Sequence, residues 1–130
     1  MNYATTQSNN GYDTADAMQA GATLTSAATI TGEQVRNLQG ESLGKIQDLM
    51  FDITEGKIRY AILESADFLA MSSRLFAVPW KALKRDGESR GFRLDMDTEY
   101  LRKAPGFGKD DWPNMADAAW RARIDSFYAR

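Results

Sequence analysis

Residues 40–65 read GESLGKIQDLMFDITEGKIRYAILES, and this stretch decides the architecture. Two apolar runs, Leu43 to Ile53 and Lys57 to Leu63, flank the break Thr54-Glu55-Gly56. Val, Ile, Leu, Phe and Tyr favour extended backbone, and a glycine beside a carboxylate favours a tight reversal, so the pattern predicts a β-hairpin at the centre of a small curled sheet. Alternation places Leu49, Phe51 and Ile53 on one face and Ile46, Asp48, Met50 and Asp52 on the other. In the second strand Ile58, Tyr60 and Ile62 oppose Arg59, Ala61 and Leu63. Neither strand has a wholly polar face, as expected where one side points into a barrel and the other lies beneath a helix or a second subunit.

Further elements are expected on both sides of the hairpin. Thr23 to Thr31 has a weak strand pattern, and Asn37 and Gly40 suit a turn between a strand ending near Val35 and one starting at Leu43. Arg74 to Trp80 reads as a strand with Pro79, which lacks an amide donor, at its end or edge. Lys81 to Lys84 reads as a helical turn, Asp86 to Gly91 as a reversal, and Phe92 to Asp95 as a short last strand. Asp97 to Lys103 predicts a short helix burying Tyr100 and Leu101. Asp110 or Asp111 is expected to cap a longer helix entered through Pro113. Along it Trp112, Ala116, Ala119, Trp120, Ile124, Phe127 and Tyr128 approach the 3.6-residue period, and Arg121 and Arg123 place positive charge toward its C-terminus. Residues 1–22 hold too little apolar material to offset the entropy of ordering, and read as a tail or as an arm anchored by Tyr3, Tyr12 and Met18 on a neighbouring subunit.

Composition narrows the chemistry. The 130 residues include no cysteine and no histidine, which removes thiolate chemistry, cysteine-based zinc sites and the commonest general base. The net charge of −2 offers no strong basic field for nucleic acid or anionic lipid, and the cations at Lys81, Lys84, Arg85, Arg90 and Arg93 are interleaved with carboxylates. No apolar run reaches the length of a signal peptide or a membrane span, so the cytoplasm is the expected compartment. Gly40 and Gly44 open a strand rather than a helix, which argues for a bend and against a phosphate-binding loop. Asp48 and Asp52 would lie roughly 13 Å apart at about 3.3 Å per residue, too far to share a proton or one ion. A hard cation such as Ca²⁺ or Mg²⁺ is the one kind of metal this carboxylate set could take. No catalytic residue, cofactor or resident metal is assigned.

Read together, Gly40-Glu41-Ser42-Leu43-Gly44-Lys45-Ile46, Gly56-Lys57-Ile58, Tyr60-Ala61-Ile62-Leu63 and Leu75-Phe76-Ala77-Val78-Pro79-Trp80 resemble a PRC-barrel domain. The likeness extends through Ala104-Pro105-Gly106-Phe107 and Trp112-Pro113 to a tail like that of stand-alone bacterial members. It implies a mainly β fold: a small closed or partly open antiparallel barrel of about six strands over 23–96, with a C-terminal amphipathic helix within 97–130. The barrel occurs as the cytoplasmic domain of the photosynthetic reaction-centre H subunit and at the C-terminus of a ribosome-maturation factor. In both it docks other molecules and no shared catalytic site goes with it. A glycine-rich loop common in stand-alone relatives is replaced here by Ser65-Ala66-Asp67-Phe68-Leu69-Ala70.

The expected function is therefore that of a non-enzymatic interaction module that self-associates, most simply as a two-fold homodimer, through barrel strands or the C-terminal helix. Phe68, Leu69, Met71, Trp80, Trp112, Trp120, Phe127 and Tyr128 are the candidate surface, although the aromatic members equally suit packing of helix on barrel. The alternatives are a domain binding a small ligand or divalent cation near Trp80, Trp112 and Asp110, and an adaptor for a ribonucleoprotein.

Overall fold

A computed structural model describes residues 24–65, 74–87 and 90–129. Residues 24–30 belong to a different unit from Thr31–Arg130. In the first of these, the expected strand is replaced by one helical turn, α1 (Ala27–Ile30). Ser26 explains the difference: its Oγ accepts from the Thr29 amide at 3.0 Å, an N-terminal cap that favours helix over extended chain. The expected arm anchors Tyr3, Tyr12 and Met18 lie outside the described residues.

The second unit is a six-stranded curled sheet, a half-barrel built from β1 (Gln34–Arg36), β2 (Ser42–Asp52), β3 (Lys57–Ser65), β4 (Leu75–Pro79), β5 (Lys84–Arg85) and β6 (Phe92–Arg93). Their order is β4-β3-β2-β1-β6-β5. Every neighbouring pair is antiparallel except β1 and β6, which run parallel and make the sheet mixed. A 3₁₀ turn (Trp80–Ala82) links β4 to β5 at the two ends of the sheet. Among the described residues two helices complete the unit, α2 (Thr98–Arg102) and α3 (Ala118–Tyr128).

The central hairpin forms where its sequence places it, with Asp52 securing the reversal. Its Oδ1 accepts from the amides of Thr54 and Glu55, both at 3.0 Å, and its carbonyl from Gly56 at 2.7 Å. Strict alternation fails inside it. Ile46 faces Leu63 and Asp48 faces Ile62, so Gln47 is an extra residue on β2; Met50 faces Tyr60 and Phe51 faces Ile58, so Arg59 is extra on β3. Each bulge reverses the phase of the residues beyond it. Ile46 and Leu49 are thereby both buried, while Phe51 and Ile53, expected on the Leu49 face, are 53% and 90% exposed. Gly44 meets the tightest approach in the sheet: at φ 140°, a Cβ there would lie 2.0 Å from the Glu64 carbonyl oxygen.

Val35, Leu43, Ile46, Ile62, Leu63 and Val78 are all fully buried in the core. The loop before β2 is held by the buried Asn37, whose Oδ1 accepts from the Gln39 and Glu41 amides and whose Nδ2 donates to the Glu41 carboxylate. All of β4 is buried. Its outer edge is covered where Leu75 and Phe107 exchange backbone hydrogen bonds at 2.9 Å in each direction.

Candidate functional site: a groove between hairpin, β4 and the last helix

Helix α3 begins later than its sequence suggests. Asp110 and Asp111 do not cap it; Asp117 does, accepting from the Trp120 amide at 3.3 Å. Upstream, Asn114 takes the chain through a turn of its own, its Oδ1 accepting from Ala116 and its carbonyl from Asp117. That side-chain competition keeps Trp112 to Ala116 out of the helix despite Pro113. Arg121 consequently sits near the N-terminal end of α3, contrary to the expected placement beside its C-terminus, and no basic residue occupies the last turn. Asp97 caps α2 in the same manner, accepting from the Tyr100 amide at 2.7 Å.

The buried stripe of α3 is Trp120, Ile124 and Tyr128, and the helix packs against β4. Trp120 meets Tyr60 edge-on with ring centroids 5.4 Å apart. Phe127 stacks on Tyr100 at 4.4 Å and meets Tyr128 edge-on at 5.1 Å. Trp120 and Tyr128 are therefore interior residues of one subunit, and Phe127 is half-covered. These rings join α3 to the barrel and α2 to α3. Trp80 is half-buried over Phe92 at 5.4 Å, and the Arg85 guanidinium covers the same Phe92 ring at 4.8 Å. Trp112 is 39% exposed, packs on Phe107 at 5.1 Å and donates from Nε1 to the Lys109 carbonyl. Phe68, Leu69 and Met71 lie outside the described residues.

A concavity arises from a mismatch of strand lengths. Tyr60 is the last β3 residue paired with β4, because the chain turns away at Pro79, while β3 continues back to Lys57. Helix α3 runs beside the gap. The resulting groove, about 790 Å³, is lined by Lys57, Ile58, Arg59 and Tyr60 from β3, by Pro79, Trp80 and Lys81, and by Ala118, Arg121, Ala122 and Asp125 from α3. Trp80 thus lies at the groove, whereas Trp112 and Asp110 do not line it. Neither Arg121 nor Asp125 stands out in the sequence as a site residue. Their i, i+4 spacing beside the Trp120–Ile124 stripe is the one local signal that both border the barrel contact.

The groove carries four cations and one carboxylate. Lys57 pairs with Glu55 at 3.5 Å and Arg59 with Asp52 at 3.7 Å. Among the described residues Lys81 and Arg121 form no ion pair, and the Nε of Arg121 is buried without a hydrogen-bond acceptor. The Tyr60 hydroxyl is held above the usual tyrosine range, first by burial and then by the negative charge of Asp125; Arg121 and Arg59 oppose the shift. It remains a protonated donor at neutral pH.

At the other end of the sheet the cations are neutralised. Glu33 pairs with Arg85 and, at 4.0 Å, with Arg90, and the buried Asp86 pairs with Arg93 at 3.4 Å. Among the described residues no cluster of three or more carboxylates is placed to hold a metal ion, and no helix is long and apolar enough to cross a membrane.

No curated protein matches this sequence. The family model for the PRC-barrel domain matches residues 23–101, which covers all six strands and ends within α2, short of α3. With more than half the chain matched and the half-barrel in place, the chain belongs to the PRC-barrel family.

Proposed function

We propose that this chain is a non-catalytic docking module whose first partner is a second copy of itself, joined along the open side of β2. One observation carries the reading. β1 pairs with β2 through Lys45, with Ile46 bonded to Glu33 and Gly32 just beyond, while β2 continues to Asp52. From Gln47 to Asp52 the strand therefore has β3 on one side and, among the described residues, no strand on the other. Within it Phe51 is exposed, and so is Ile53, the turn residue that follows the strand. An unpaired strand edge that carries an exposed aromatic side chain is a template for another strand. Antiparallel pairing of β2 with its own copy has two-fold symmetry, the commonest arrangement in homo-oligomers.

The other routes have less to offer. The outer side of β4 is occupied by Phe107, and β5 spans only Lys84–Arg85. The α3 stripe is turned inward. A ribonucleoprotein role is less well supported because Arg85, Arg90 and Arg93 are engaged by Glu33 and Asp86.

Sedimentation velocity over a concentration series tests the proposal. The unmodified chain is expected to form a reversible dimer, and the double variant Phe51→Lys, Ile53→Lys to remain monomeric with an unchanged circular dichroism spectrum. A variant that dimerises as strongly as the parent would overturn it.

A further inference from the structure

We infer that the groove between β3, β4 and α3 binds a small organic anion, a phosphate or carboxylate carried on a flat apolar body. Three features point to that class. The first is an unanswered donor: the Arg121 Nε is buried and has no acceptor, an arrangement whose cost is relieved when an acceptor oxygen arrives. Guanidinium groups match the paired oxygens of carboxylates and phosphates, and the half-buried Arg121 lines the groove. The second is charge. Lys57, Arg59, Lys81 and Arg121 line the groove against Asp125 alone, and Lys81 and Arg121 have no carboxylate partner among the described residues. The third is the wall between these charges. Ile58, Tyr60, Pro79 and Trp80 provide apolar and aromatic surface on which a ring can lie, with the protonated Tyr60 hydroxyl as a further donor.

The volume is that of a small-molecule site, for which about 300–1,000 Å³ is usual. Asp125 adds discrimination. It repels a second negative charge placed beside it, so a single anionic group oriented toward Arg121 and Lys81 is favoured. In the order of the sheet, β3 lies between β4, which borders this groove, and β2, whose open side faces the other way.

The test is a ¹H–¹⁵N NMR titration of the full chain, following the Arg121 Nε–H and Trp80 Nε1–H resonances. Phenyl phosphate and benzoate are the probes for the two anion types, with inorganic phosphate and benzylamine as controls. Saturable shifts at Arg121 and Trp80 are expected with at least one aromatic anion. Inorganic phosphate should bind at least about tenfold more weakly, a difference of about 1.4 kcal/mol, and benzylamine should give no shifts there. Arg121→Gln should weaken the aromatic anion by at least about tenfold while leaving the spectrum of the barrel core unchanged. Sedimentation of the Arg121→Gln variant, whose change lies on α3 and away from the open side of β2, should show the same self-association as the parent, which separates this result from the dimer. The inference is overturned if neither aromatic anion shifts these resonances, if benzylamine binds equally well, or if Arg121→Gln leaves affinity intact.

Discussion

Replacing Gly44 by alanine isolates the physical reason for the glycine in the β2 opening. Two costs add. At φ 140° an L-residue pays about 1–2 kcal/mol for a left-handed-region backbone. The new Cβ would also stand 2.0 Å from the Glu64 carbonyl oxygen and 3.2 Å from a Leu63 methyl carbon. A backbone oxygen cannot move aside as a side-chain tip can, so the end of the β2–β3 ladder at Gly44 and Ser65 must part, at an overpacking cost of about 1–3 kcal/mol. The sum is about 2–5 kcal/mol, a large share of the 5–15 kcal/mol that ordinarily holds a domain together. Gly40 supplies the control. Its φ is 84°, but a Cβ there meets nothing within 4 Å, so Gly40→Ala should incur only the conformational part, about 1–2 kcal/mol. With a urea m-value of about 1–2 kcal/mol/M, each 2 kcal/mol moves the midpoint by about 1–2 M, readily measured by equilibrium unfolding monitored by circular dichroism. Equal losses for the two substitutions would refute the reasoning, because they would mean that the Glu64 contact adds nothing.

Other substitutions address the remaining parts of the fold. Trp120→Ala removes the ring packed on Tyr60 and should destabilise by roughly 3–5 kcal/mol in the same urea assay. Asn37→Ala strands the Gln39 and Glu41 amides and should cost about 2–3 kcal/mol, with faster amide exchange at both positions. Alkaline pH should expose the buried tyrosines. Burial raises Tyr128 far above the ordinary value of 10.0, with Tyr100 adding to the shift, and raises Tyr60 as well. Above pH 10 the unfolded chain releases these protons while the native one retains them. Stability is therefore full below that value and falls as pH rises past it toward the native values. Tyr128→Phe should flatten the alkaline slope at little cost near neutrality, since the Tyr128 hydroxyl is buried without a partner.

What the sequence conveys depends on how local the cause is. The hairpin is legible because its apolar runs and the Thr54-Glu55-Gly56 break are contiguous, and the family motif adds the rest of the barrel. Gln47 and Arg59 defeat the alternation because a bulge is set by the partner strand, and a period of two has no means of announcing its own reversal. The start of α3 is misread for a local reason: Asp110, Asp111 and Pro113 are all good opening residues, but Asn114 forms its own turn first and leaves the cap to Asp117. The aromatic set shows a limit of a different kind. Periodicity identifies Trp120 and Tyr128 as one stripe without saying whether a barrel or a second subunit covers it. The groove was least legible, since it is made by the end of β4, the overhang of β3 and one side of α3. Pro79, the residue at which a strand stops, and the i, i+4 spacing of Arg121 and Asp125 are the local hints.

The claim that β2 docks against its own copy is tested most directly by amide hydrogen exchange read at low and high protein concentration. Self-association along this edge predicts that those amides of Gln47 to Asp52 directed away from β3, apart from that of Leu49, which donates to the Asp48 carboxylate, exchange freely when dilute and become protected as concentration rises, while the β3–β4 ladder is unchanged. Exchange across β2 that is indifferent to concentration, in a sample shown by sedimentation to be associated, would contradict it.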